Sequence, residues 1–422
     1  MNKNEFQELV RSGLGRAIIY ARENDVQPFR DVILDACLHC YSADAQCEGT
    51  RAGYMLELVN LLPDRQFYCD EVLKALPGSG DDWDAVQRFH FATYMSFDGD
   101  ERARQVMYES FEPEPNMGEA VAIDFVRMDG LKGLLFAAAK IGALLISKPN
   151  EMDGGWLWMQ AREICGEQEA TTALCQAGAI DPRVEAYRLA AVAGEANSHR
   201  GIGTWEEIKA LSYAQLKPKL LGLRAFRLSG WGKQASTDDV ERAAHGLMAA
   251  QVPEEQIQHL RVFSRRPFPL DPSLLLKLSF SANEDLALAA AVALAQIMHP
   301  SVREVAFRLV GNRLAGRDAA IAMLGQNWVP NDHEVVLSWF ESELDRDTRH
   351  HMETDLRNFW ESHPDPASEL RMLCSLYEKG PCSFCREFVV QRLIELDSLS
   401  ASMRAECARD ANEDIRLLVG AE

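Results

Sequence analysis

One pattern recurs along this chain and restricts it more than any other: helical segments of two to four turns follow one another without interruption. Residues 285–298, 301–314 and 332–344 are three such segments within sixty residues, separated by short polar or proline breaks. No stretch alternates apolar and polar residues with the two-residue period of a strand over a useful length. A chain of 422 residues is too long for one ordinary core. It must therefore split into domains or stack its helices into one array that buries a continuous core. The uniform segment size favours the array, an all-α superhelical solenoid of stacked antiparallel helix pairs.

The apolar spacing supports this reading. Phe29, Val32, Ile33, Ala36, Cys37 and Cys40 recur at three- and four-residue intervals, which predicts one buried stripe on a helix over 26–41. Helices over 51–62 and 65–76 are separated only by Pro63 and Asp64, so they must be spatial neighbours. A second pair, 83–96 and 100–111, turns at Phe97-Asp98-Gly99. Breaks rich in proline or glycine stand at 112–116, 147–155, 265–271 and 362–366, and none is long enough to be a flexible linker. They divide the array into N-terminal repeats over 1–112, an irregular middle over 113–272 and C-terminal repeats over 273–422.

Several helix starts share a signature. Asn283-Glu284-Asp285-Leu286 and Asn412-Glu413-Asp414-Ile415 both follow alanine, and Pro300-Ser301-Val302-Arg303 and Asp181-Pro182-Arg183-Val184 begin others. An acid there favours the positive end of the helix dipole, and the aliphatic that follows enters the core. On these residues the chain resembles the HEAT-like, armadillo-type helical repeat proteins, including uncharacterised bacterial members. The resemblance implies a fold and no particular chemistry, because that architecture serves many functions.

Charge narrows the partners. The formal net charge is −20, which repels polyphosphates as a whole and attracts basic proteins. One region departs from that balance. Residues 209–233 hold six bases and no acid. Lys217, Lys219, Arg224, Arg227 and Lys233 lie among Tyr213, Phe226 and Trp231, and Arg261, Arg265 and Arg266 follow. Bases beside aromatic rings can hold phosphates and stack bases. The competing reading pairs them with acids nearby, Glu206 and Glu207 among them. Gly230-Trp231-Gly232 lacks the context of a dinucleotide-binding turn and reads as a loop.

Ten cysteines are too few for a disulfide scaffold in a chain of this length. Cys382-Ser383-Phe384-Cys385 opens a helix, where two thiols at this spacing could share a zinc ion or a disulfide, with Cys374 and Cys407 as further sulfurs. Packed, reduced thiols are the competing and preferred account, as they are for Cys37 and Cys40. His350, His351, Glu353 and Asp355 form a histidine-carboxylate cluster in which His351 and Asp355 share a helix face. Its many charged neighbours favour a solvated, ion-paired helix start.

The common phosphate-loop, zinc-protease and nucleophile-elbow motifs are absent from the sequence. The segment 131–146 carries Lys132 and Lys140 and falls short of the about 20 apolar residues a membrane span needs. The opening residues read as an amphipathic helix rather than a secretion signal, which points to the cytoplasm. The expectation is thus a non-catalytic, cofactor-free solenoid that binds another macromolecule, first of all a protein, as scaffold, adaptor or neutralising partner. The alternative is a nucleic-acid-binding or DNA-base-processing protein that uses the basic strip.

Overall fold

The computed structural model describes residues 1–78, 82–148, 155–198 and 205–420, with side chains omitted at 194–198 and 205–206. Among the described residues it is entirely helical, with no strand. No helix among the described residues is long and apolar enough to cross a membrane. The chain forms two compact units, Met1–His199 with Pro381–Glu422, and Arg200–Gly380.

In the first unit, alternate helices stack. Trp83–Phe97 packs against Ala52–Asn60 before it and Gly118–Asp129 after it, while Arg65–Lys74 and Glu101–Ser110 pack beside it. Gly118–Asp129 ends at Gly130, which has φ 57°, a conformation that costs glycine little, and Leu131–Ser147 continues beyond it. The helix expected over 26–41 is shorter. A 3-10 turn at Gln27–Phe29 leads into Arg30–Leu38, and Cys40 lies past its end, where its amide donates to Asp84 Oδ1 at 2.7 Å. Cys37 remains in the core.

The same unit takes in the C-terminal segment, so the first and last helices of the chain share a core. Its fastening is polar and buried. Arg386 and Asp410 are both fully buried, paired at 2.9 Å, and Arg386 also donates to Ser12 O at 2.8 Å. Ala411 N–H donates to Gly13 O at 2.9 Å, and Arg16 pairs with Glu406 at 2.9 Å. Glu48 accepts from the Ser383 hydroxyl and amide at 2.7 Å and pairs with Arg51 at 2.8 Å. These donors hold the Glu48 carboxyl down at about 2, against the opposing effect of burial. An array whose ends stay apart could not make these bonds.

The second unit repeats the stacking. Ala225–Gln234 packs against Pro253–Val262, and that helix against Glu284–Leu294. Pro300–Gly311 then packs on Ala320–Gln326, and Ala320–Gln326 on Arg346–Ser362. The two asparagine starts work as caps: Asn283 accepts from Leu286 N–H, and in the first unit Asn412 accepts from Asp414 N–H. Val302, Val305, Ala306 and Leu309 form the buried stripe of Pro300–Gly311. Gly230-Trp231-Gly232 is helix interior, not loop. A Cβ on Gly232 would sit 1.9 Å from Val262 O, so the glycine lets two helices approach closely.

Candidate functional site

The second unit carries an open groove of about 910 Å³ built from consecutive helix ends. Met298 and His299 come from the turn before Pro300–Gly311, and Asn327, Trp328 and Val329 from the turn after Ala320–Gln326. Asp355, Phe359 and His363 come from Arg346–Ser362 and its C-terminal end.

Hydrogen bonds fix the wall. Asn327 accepts from His299 N–H at 2.8 Å and donates to Ile297 O and Met323 O at 2.9 Å. Arg303 makes a two-pronged bond to the buried Asp332 at 2.6 and 2.7 Å, and Asp332 also accepts from Val329 N–H. A planar fork on a carboxylate sets orientation as well as energy, so the turn bearing Trp328 is held firmly. The Trp328 ring stacks on His363, with centroids 5.1 Å apart and planes 6° from parallel. His363 Nε2 is 2.9 Å from Gly325 O, so it carries its proton there.

Over this ordered wall the groove presents uncovered apolar surface. Met298 is 81% exposed, and Trp328 and Val329 are 42% and 40% exposed. Asp355 is the carboxylate among the lining residues. It accepts no hydrogen bond among the described residues. Burial pushes its carboxyl up to about 7, with Asp318 adding repulsion and His351 opposing. His351 itself pairs with Asp318 at 3.3 Å, which raises its pKa. The expected solvated helix start is therefore accurate for His351, which is exposed, but not for the buried Glu353 or for Asp355.

Because folded Asp355 holds its proton to a higher pH than an unfolded aspartate, its ionisation works against folding. The penalty begins near the ordinary value of 3.8, grows with pH and levels off above about 7. Asp355→Asn should accordingly raise the melting temperature at pH 8 and leave it nearly unchanged at pH 4. Thermal melts at the two pH values check this.

The eight bases of the basic strip divide into two kinds. Arg266 donates to Gly232 O and Ala235 O, at 3.4 and 2.5 Å, and so satisfies carbonyls at the end of Ala225–Gln234. Arg261 donates to Gln258 at 3.2 Å, and Arg227 lies 5.8 Å over the Phe226 ring. Lys217, Lys219, Arg224, Lys233 and Arg265 are exposed and make no ion pair among the described residues. The Glu206 side chain lies outside the described residues. Two of the three aromatics are packed away: Tyr213 bonds His259 at 2.9 Å, and Trp231 Nε1–H donates to Leu211 O at 2.8 Å. Phe226 alone of the three is exposed.

In the first unit Cys382 is buried at the start of Ser383–Glu395, and its sulfur accepts from Cys385 N–H at 3.4 Å, so this thiol caps its helix. Cys385 is half-buried, and all ten cysteines are free thiols.

The groove was not visible in the sequence. Its lining is drawn from three helix ends, and the signals that mark it are an exposed Trp-Val pair and an exposed Met, each unremarked by periodicity. What the fold and groove define is an all-helical stacked protein with an ordered, part-apolar surface cleft containing one acid. Compared with known proteins, the chain matches no family model, no curated protein and no solved structure.

Proposed function

We propose that this protein is a HEAT-like helical repeat protein that binds another protein, and that the groove of the second unit takes an extended segment of it. The segment would carry a large apolar side chain next to a lysine or arginine. One observation carries the reading: an Asp355 carboxyl without a hydrogen-bond donor among the described residues, in the same groove as exposed Met298 and Trp328. Aromatic and methionine side chains on an ordered frame are common binding anchors. The net charge of −20 supports a basic partner by drawing it in from a distance.

The pH dependence follows from Asp355. A cationic side chain pairs with the ionised form, so affinity rises as pH climbs through about 7. A peptide array probed with the full chain, followed by anisotropy titration at pH 6 and 8, tests this. Selected peptides should pair Leu, Phe or Trp with Lys or Arg. Trp328→Ala should weaken them about 10-fold or more, and Asp355→Asn should remove the pH dependence. Peptides that bind equally well to both variants would end the reading.

A second reading rests on the exposed bases without ion pairs. Lys217, Lys219, Arg224 and Arg265 favour an anionic polymer, and a gel shift that weakens steeply with salt would support it. Absence of any shift at low salt would remove it.

A further inference from the structure

Three successive stacked helices of the first unit line up a hydroxyl, an imidazole and a carboxylate. Thr50 precedes Ala52–Asn60, His90 lies in Trp83–Phe97 and Asp124 in Gly118–Asp129. Thr50 Oγ1 is 2.8 Å from His90 Nδ1, and His90 Nε2 is 3.4 Å from Asp124 Oδ2. The second separation is longer than a tight hydrogen bond, as such contacts often are before substrate binds. Asp124 is fully buried and accepts from Arg127 on Oδ1 at 3.3 Å, and neither His90 Nε2 nor Asp124 Oδ2 has a hydrogen-bond partner among the described residues. A proton on Nε2 faces the carboxylate, whereas a lone pair there would set two acceptors together. The carboxylate thus selects the tautomer whose Nδ1 lone pair accepts from the Thr50 hydroxyl.

Thr50 lines an open pocket of about 850 Å³ that belongs wholly to this unit. One group of the pocket lining suits a developing negative charge. Arg51 is not that group, because it is 5% exposed, pairs with Glu48 at 2.8 Å and donates to Pro381 O at 3.1 Å. Gly53 stands in the first turn of Ala52–Asn60, at the positive end of that helix, and no side chain caps it. Opposite charge is also present: Glu413 and Asp414 line the pocket, are exposed, and make no ion pair among the described residues.

We propose that Thr50, His90 and Asp124 form an acyl-transfer site that hydrolyses small esters whose acyl group bears an ammonium. Thr50 Oγ attacks the ester carbonyl carbon while its proton passes to His90 Nδ1, and the carbonyl π pair moves onto oxygen. When that pair returns, the C–O bond to the alcohol breaks and the alcohol leaves with the proton from His90. Water then attacks the acyl-Thr50 ester by the same route, giving the acid and free Thr50. Asp124 keeps the imidazole oriented and faces its positive charge when it is protonated.

The test uses the full chain with the p-nitrophenyl esters of lysine and of butyric acid. The lysine ester should be cleaved faster than the butyrate, and acid-quenched digests should carry the lysyl group on Thr50. Thr50→Ala and His90→Ala, with helical circular dichroism retained, should each lose about 100-fold or more of the rate. Thr50→Ser should retain activity. Should the variants fail to fold, acylation of the unaltered chain decides the matter: an acyl group on any residue other than Thr50 overturns the proposal. Release no faster than in buffer, a full rate in Thr50→Ala, or preference for the butyrate would overturn it equally.

Discussion

Replacing Arg386 with methionine should destabilise the first unit by about 3 to 5 kcal/mol, because it leaves the Asp410 carboxylate buried without its cation. Both members of the pair are fully buried, so water cannot substitute for the guanidinium. The same change deletes the donor to Ser12 O, leaving an acceptor between the first and last helices unfilled. Urea denaturation followed by circular dichroism measures the loss. A double variant, Arg386→Met with Asp410→Leu, should recover part of it, since the stranded charge rather than the missing attraction causes most of the cost. If the single variant stays within 1 kcal/mol of the parent, the pair does not fasten the two ends as described.

Trp231→Ala should have a comparable effect on the second unit, about 3 to 5 kcal/mol for a large aromatic removed from a packed site. The side chain is completely buried in a helix that packs on Pro253–Val262, and its indole N–H is bonded to Leu211 O. Phe226→Ala, five residues earlier and 59% exposed, should leave stability nearly unchanged. The contrast separates two roles for aromatics in this segment. Loss of stability at Trp231 without loss at Phe226 would show that only the phenylalanine is available for contact with a partner. Denaturation curves of the two variants settle it.

Tryptophan 231 also shows where sequence reasoning stopped. Flanked by two glycines within a basic stretch, it looked like a ring placed in a loop for stacking. The glycines serve packing: Gly232 admits the Val262 backbone, and the helix runs straight through them. Helix positions were legible because periodicity is a local signal, and so were the asparagine starts at 283 and 412, because capping is local too. The groove around Trp328 and the relay of Thr50, His90 and Asp124 are not local. Their members come from separate helices at spacings no motif encodes, and only stacking makes them neighbours. The buried Arg386–Asp410 pair is only twenty-four residues apart, yet its meaning depends on Ser12 and Gly13, at the far end of the chain.

That last arrangement bears on how the protein comes into being on the ribosome. The N-terminal helices of the first unit are made first, but the helices that complete their core come after residues 200–380, a delay of 181 residues. Glu48, the carbonyl of Ser12 and Arg16 precede Ser383, Arg386 and Glu406 by 335, 374 and 390 residues, so at translation speeds of about 5 to 20 residues per second they wait roughly 17 to 78 s for these partners. During that interval the second unit can form from its own consecutive helices, while the first keeps Gly13 and Gly15, on which Ala411 and Arg409 later close, uncovered. The nascent chain is thus most open to chaperones, or to a wrong partner, at its oldest end.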